Sequence, residues 1–190
     1  MESILTGLRQ FLKVVGRIEL AICKILMTWI VLLTGVSVLL RYGFNYSLHW
    51  SQEITLLSAQ YLYFMGAAYI FKTKEYIIMD FLFLKLPNGL KIPTAVAVHL
   101  MMLTFLGVTI WQAYLMIIKQ WSITSFVLNL PRGHWTLPVL AGCISIALTL
   151  TYYLLVYLKH LWPGNELRFD WAELETEMDL FRIERYAGDN

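Results

Sequence analysis

The sequence of 190 residues has few charged side chains for its length. Only 15% of its residues are charged and 58% are hydrophobic, whereas a soluble domain is about a quarter charged and half apolar. Its mean hydropathy is +0.61. Because the charges are clustered and leave long apolar runs between them, the composition predicts a polytopic membrane protein.

Motifs for catalysis, cofactors and nucleic acid are also missing from the sequence. It contains no HExxH, P-loop, GxSxG or paired-carboxylate motif. Its two cysteines, Cys23 and Cys143, lie in or beside apolar segments without CxxC or metal-ligand spacing. The net charge of +2 comes without a dense basic run. We therefore expect no enzyme activity, no cofactor, no metal and no nucleic-acid partner.

Four apolar segments are long enough to cross a membrane, which takes about 20 helical residues. They cover approximately residues 20–40, 52–71, 92–118 and 136–158, and Pro138 lies in the first turn of the last segment, where proline is tolerated. Backbone groups in lipid must be satisfied within the segment, so these segments are helices. The predicted fold class is an all-α integral membrane protein with four transmembrane helices in a membrane domain over residues 20–162.

The segment before the first span predicts an interfacial amphipathic helix over residues 1–19. One helical face is apolar, and the basic residues Arg9, Lys13 and Arg17 follow at i, i+4 spacing. Such a helix lies on the anionic cytoplasmic leaflet; the alternative is a solvated leader. The apolar face comprises Ile4, Leu5, Leu8, Phe11, Leu12 and Val15.

Two further segments lie outside the spans. The loop between the second and third spans is apolar enough to lie along the cytoplasmic interface, and its Asp80 is either a solvent-facing acid or a partner contact. Residues 163–190 form an acidic cytoplasmic tail in which apolar residues recur at helical spacing, which predicts a short amphipathic helix resting on a protein surface. Those residues are Trp171, Leu174, Met178 and Phe181.

The distribution of lysine and arginine predicts that both termini are cytoplasmic. The first and third loops hold only Arg41, Lys119 and Arg132. The other basic residues near the span ends lie on the opposite side: Arg9, Lys13, Arg17, Lys24, Lys72, Lys74, Lys85, Lys91, Lys159, Arg168, Arg182 and Arg185. Asn45 and Leu128 are therefore expected in outer loops.

Helix two is predicted to have a packing face and a lipid face. Glu53, Gln60 and Ala67 are spaced by seven and share one stripe, next to a small-residue stripe that includes Gly66. Arg41 ends the first span on the same side, so an Arg41–Glu53 pair is one interpretation and a capping acid is the other. The predicted lipid face comprises Ile54, Leu57, Tyr61, Leu62 and Met65.

The four histidines allow a second class of function, a membrane anchor that holds haem or quinone for a redox enzyme. Bis-histidine ligation needs two histidines that face each other inside the bundle. His99 and His160 fall toward one side of the membrane, and His49 and His134 fall at the other.

Several short motifs together resemble one transporter family. An arginine closes the first span in LLRYGFN, and SLHWSQEI and FMGAAYIFKTKEYIIMD follow. In this order they are similar to the small membrane subunit (DctQ-like) of tripartite ATP-independent periplasmic (TRAP) transporters. The later LNLPRGHWTLPVLAGC resembles the proline-containing start of that family's last span, and Tyr76 departs from the histidine that is common there. The matching residues are Arg41, Trp50, Glu53, Gly66, Ala67, Ala68 and Asp80.

The resemblance implies a function as a partner protein. Small TRAP subunits pair with a large permease subunit that holds the solute and sodium sites, and a periplasmic substrate-binding protein docks on the pair. The implied role is to brace the large subunit during uptake of an organic-acid-type solute in a bacterial inner membrane. Subunit or helix packing is then the expected role of Arg41, Trp50, Glu53, Gln60, Gly66, Ala67 and Asp80.

Overall fold

The computed structural model describes residues 2–73, 88–125 and 127–161. The described residues form α1 (Glu2–Gly43), α2 (His49–Thr73), α3 (Asn88–Gln120) and α4 (Gly133–Leu161). Each of the four is long and apolar enough to cross a membrane, which confirms the predicted all-α membrane fold. The predictions for Asp80 with its loop and for the tail at 163–190 lie outside the described residues.

The helices pack in the order α1, α2, α4, α3 across the bundle. Within the apolar segment of each helix that could span the membrane, half of the residues of α4 are buried inside the protein, against 6% for α1 and 11% for each of α2 and α3. α4 is therefore the central helix, and α1 and α3 expose most of their apolar surface.

Three contacts along α1 and α2 fix the direction and register of that pair. Glu19 contacts Lys72 at one end, Gly66 faces Cys23 in the middle, and Ser37 bonds to Ser51 at the other end. Higher residue numbers on α1 meet lower numbers on α2, so the two helices are antiparallel. The link between them is short, and Asn45 adopts a left-handed backbone conformation with a φ of 53°, which asparagine tolerates better than most residues.

The N-terminal segment and the first span form one unbroken helix of 42 residues. The predicted boundary at residues 19–20 is therefore not a break in the helix. Leu5 and Leu12, which the sequence places on the lipid-binding face, belong to the protein's own hydrophobic core, whereas Phe11, Val14 and Ile18 are exposed. Contact of this segment with the membrane interface remains a prediction.

Candidate functional site: two acidic anchors at opposite ends of the bundle

Three helices meet at a buried charged cluster, here called the inner anchor, made of Glu19, Lys72 and Ser145. The Lys72 Nζ donates to Glu19 Oε2 at 2.5 Å and to Ser145 Oγ at 2.6 Å. The Ser145 hydroxyl in turn donates to Glu19 Oε1 at 2.5 Å. Because the three residues come from α1, α2 and α4, the cluster ties both neighbouring helices of α2 to one point.

Lys72 cannot reach water from this position. The side chain is fully buried and that of Glu19 is 4% exposed. Side chains of a helix lean toward its N-terminus, so the lysine, in the last turn of α2, extends back into the bundle instead of out past the helix end. A buried charge without a partner is very costly, and the carboxylate of Glu19 supplies that partner.

The surroundings of the inner anchor are also ordered by hydrogen bonds. Tyr153 of α4 donates its hydroxyl to the Phe71 carbonyl at 2.9 Å, which satisfies an acceptor at the C-terminal end of α2. Thr149, which is fully buried, donates to the backbone oxygen of Ser145 at 2.9 Å. The end of α2 is thus fixed against α4 through both its side chain and its backbone.

The sequence interpretation missed the inner anchor. It counted Lys72 among the basic residues of the cytoplasmic loop, and it placed Glu19 before the first span. The signal that could have found Lys72 is its spacing: Ser51, Ser58 and Lys72 fall on one heptad stripe of α2, and all three are buried. Polar residues on one stripe of an apolar helix indicate a face that packs against protein.

A second acidic cluster, here called the outer anchor, holds the loop between α3 and α4. The Glu53 carboxylate accepts a hydrogen bond from the Ser125 hydroxyl at 2.5 Å. It also accepts bonds from the backbone N–H groups of Val127 at 3.3 Å and Leu128 at 3.1 Å. Three donors on one carboxylate are a charge-assisted clamp, and they connect the first turns of α2 to a loop more than 70 residues away.

The clamped loop has its own hairpin-like structure. The Ser125 N–H donates to Leu130 O at 2.8 Å, and the Arg132 N–H donates to Ile123 O at 2.7 Å. At the end of the loop, the Trp121 and His134 rings stack with centroids 5.2 Å apart. Glu53 therefore binds a loop that is already ordered by its backbone.

The predicted Arg41–Glu53 pair is wrong for this structure. Arg41 is exposed in the last turn of α1, and among the described residues no ion pair joins it to Glu53, whose carboxylate is occupied by the α3–α4 loop. The physical reason is that donors of that loop reach the carboxylate directly and that the loop's own Arg132 supplies a positive charge nearby, so Arg41 is not required.

The predicted lipid face of α2 also needs correction. α2 lies between α1 and α4, and the residues assigned to lipid, Leu62 among them, are half-buried. The most exposed face instead carries Leu56, Tyr63 and Ile70. On the predicted packing side, Ala67 packs against the core, and Gln60 buries its Oε1 without a hydrogen-bond partner in the described structure.

α2 and α4 approach each other closely at Gly142. A Cβ at this position would lie 2.8 Å from Phe64 Cβ and 2.9 Å from the Phe64 carbonyl oxygen, closer than real Cβ contacts. Phe64 of α2 meets Gly142 of α4. Further toward both C-termini, Phe71 and Lys72 of α2 bond to Tyr153 and Ser145 of α4. α2 and α4 are therefore parallel neighbours. Glycine is required here for close helix packing.

His99 and His134 are engaged in packing, whereas His49 is exposed at the start of α2. His99 has Nδ1 at 2.8 Å from Ala95 O, and its ring meets the edge of Tyr157 with centroids 5.1 Å apart. His134 has Nδ1 at 3.0 Å from Pro131 O. In the described residues no group of three or more His, Cys, Asp or Glu is placed to hold a metal ion. These contacts do not favour the haem-anchor alternative.

The sequence matches the family described as tripartite ATP-independent periplasmic transporters, DctQ component, over residues 30–160. The chain belongs to this family. No individual curated protein matches it. As a DctQ component it is a multi-pass part of a transporter, and the family is a transporter component rather than an enzyme. The matched region contains Glu53, Lys72 and Ser145 but not Glu19, so one member of the inner anchor lies N-terminal to the match.

Proposed function

We propose that this DctQ component is the small permease subunit of a sodium-coupled TRAP transporter in a bacterial inner membrane. In this role it braces the large permease subunit while that subunit carries an organic-acid-type solute, which a periplasmic binding protein delivers. The family match supports the class of function. The bonding of Glu19 and Glu53 to partners within the chain supports the bracing role.

The observation that carries the bracing role is the engagement of buried and partly buried acids inside the chain. Glu19 is bound to Lys72 and Ser145, and Glu53 is bound to the α3–α4 loop. Ionisable groups that move a solute or ion across a membrane face a water-filled cavity, whereas these groups hold helices and a loop in fixed positions.

Among the residues proposed for packing, Arg41 and Trp50 are those best placed to contact another subunit. Both are exposed at the end of the bundle where Glu53 holds the loop. Glu53, Gly66 and Ala67 are used for packing within the chain. We therefore assign the partner contact on this side to the exposed Arg41 and Trp50.

The proposed orientation has both termini in the cytoplasm and the outer anchor on the periplasmic side. The distribution of lysine and arginine along the chain supports it. Single cysteines introduced at Asn45 and Leu128 in a background without Cys23 and Cys143 should react with a membrane-impermeant thiol reagent from outside. Reaction from the cytoplasmic side alone would reverse the orientation.

Reconstitution tests the proposed function. Liposomes that contain the large subunit and this chain, supplied with binding protein and an inward sodium gradient, should take up solute, and liposomes without this chain should take up much less. The Lys24→Met variant, which changes an exposed lysine, should behave as the wild type. Uptake by this chain alone, or full uptake without it, would contradict the bracing role.

A further inference from the structure

α3 exposes a face, here called the α3 outer face, made of Met101, Phe105, Val108, Trp111 and Gln112. Four of these residues follow a 4-3-4 spacing and form one stripe, and Trp111 lies beside it. All five are exposed in the structure. The opposite side of the helix, with Leu106 and Ala113, is buried.

Gln112 is the residue of this face with a side-chain amide, whose donors and acceptor cannot form hydrogen bonds with lipid hydrocarbon. It makes no hydrogen bond with any described residue, and neither does the Trp111 indole. The glutamine lies eight residues before the end of α3 at Gln120, about 12 Å along the axis. Helical side chains lean toward the N-terminus, so its amide points deeper into the span. A carboxamide at this depth without a partner is costly.

The exposed face of α1 has different chemistry. Met27 and Trp29 are exposed nearer the inner end of α1, but over residues 31–39 its exposed side chains are mostly aliphatic, with Val31, Leu32 and Val36 among them. Thr28 donates its hydroxyl to the Lys24 carbonyl of its own helix at 2.9 Å, and a threonine can do this at any helical position. Gln112 makes no such bond within its own helix, so its amide requires a hydrogen-bond partner from outside the chain, whereas Thr28 does not.

We propose that the α3 outer face binds a transmembrane helix of the large permease subunit, with the Gln112 amide hydrogen-bonded to a polar side chain or backbone carbonyl of that helix. This inference rests on the proposed function, which supplies the membrane partner. Interfaces are enriched in aromatic residues and methionine, and Met101, Phe105 and Trp111 provide them here. The aliphatic part of α1 over residues 31–39, which exposes no glutamine, then faces lipid.

Site-specific crosslinking in the full complex distinguishes the two faces. A photo-reactive phenylalanine analogue is placed at Phe105 of α3, 71% exposed, or at Val31 of α1, 59% exposed, as a matched control near the middle of a span. The analogue at Phe105 should give an adduct with the large subunit, and the analogue at Val31 should not.

The outcomes separate this inference from the proposed function. If the large subunit does not co-purify with the wild-type chain, the proposed function fails. If it co-purifies but crosslinks only from Val31, or if Phe105 crosslinks only to lipid or to a second copy of this chain, the inference about the α3 outer face is wrong.

A substitution of similar volume tests the hydrogen bond. Gln112→Leu should weaken association with the large subunit by roughly threefold to tenfold, as expected for one interhelical hydrogen bond in a membrane. Thr34→Leu on α1 serves as a control and should leave association unchanged. Equal or tighter association of Gln112→Leu would show that Gln112 has no protein partner and would overturn the proposal.

Discussion

Glu19 and Glu53 lie at opposite ends of the bundle and are stabilised by different kinds of partner. Glu19 is buried, and its carboxylate is bound by the ammonium of Lys72 and the hydroxyl of Ser145. Glu53 is only half-buried, and it is bound by one hydroxyl and two backbone N–H groups without an ion pair in the described structure.

The difference follows from how much water each carboxylate retains. Glu53 is held directly by neutral donors, the positive charge of Arg132 acts on it as well, and solvent still screens part of its charge. Glu19 has lost its water, and a buried ion pair is stable only with good geometry and with its remaining hydrogen bonds satisfied. The inner anchor therefore needs all three residues, whereas the outer anchor should tolerate the loss of one donor.

The largest effect is expected from removing one side of the inner ion pair. Lys72→Met leaves Glu19 buried without a counter-charge, which should cost about 3–5 kcal/mol of unfolding free energy. The double variant Glu19→Gln/Lys72→Met should recover most of this loss because no charge remains buried. Denaturation in detergent micelles measures both values.

The exposed lysine at position 24 provides the control for this comparison. Lys24→Met should change stability by no more than about 0.5 kcal/mol, as is usual for surface substitutions. A Lys72→Met variant as stable as Lys24→Met would show that the inner anchor does not hold the bundle together.

The next largest effect is expected at the close contact between α2 and α4. Gly142→Ala places a methyl group against the Phe64 backbone, and overpacking of this kind should cost about 1–3 kcal/mol. Gly107→Ala on α3 has open space around its Cβ and should be neutral or slightly stabilising. Thermal unfolding compares them, and equal midpoints would mean that the helix pair can separate without loss.

At the outer anchor, we expect a local effect. Glu53→Gln removes the charge that the loop donors bind, so amide hydrogen exchange at Val127 and Leu128 should become faster while α1 and α4 stay protected. Arg41→Gln should change nothing in the loop, and the double variant should behave as Glu53→Gln alone. Coupling between the two substitutions would show that Arg41 and Glu53 interact, contrary to this structure.

The smallest effect is expected at the Ser37–Ser51 contact near the outer end of α1 and α2. The Ser51 hydroxyl donates to Leu48 O at 2.8 Å, so Ser37 is the donor in the 3.1 Å bond between the two hydroxyls. Ser37→Ala should cost roughly 0.6 kcal/mol, the average for one interhelical hydrogen bond in a membrane protein. A cost comparable to that of Lys72→Met would remove the contrast between charged and neutral contacts.

The four helices could be predicted from sequence because a membrane span requires only a sufficient length of apolar chain. α2 differs from its predicted limits by a few residues at each end. The continuity of α1 was harder to predict, because a change from mixed to purely apolar composition near residue 19 looks like a boundary. Backbone hydrogen bonding continues through such a change, since helix formation depends little on which surface the side chains meet.

The partners of the two acids could not be predicted, because they depend on contacts between distant parts of the chain. Lys72 is 53 positions from Glu19, and in sequence each looks like an ordinary charge at the edge of a span. Two of the donors to Glu53 are backbone N–H groups, which carry no sequence signature. The stripe that contains Glu53 could be identified, but the loop that it binds could not.

The position of Glu19 near the start of the chain sets the order in which the bundle can be assembled during synthesis. Its cationic partner is made 53 residues later and its hydroxyl partner 126 residues later. At a synthesis rate of about 5–20 residues per second, Lys72 is added on the order of 3–10 s after Glu19, and Ser145 later still. Until then Glu19 has neither of these partners, so we expect α1 to pack at the inner anchor only after α2 has been synthesised.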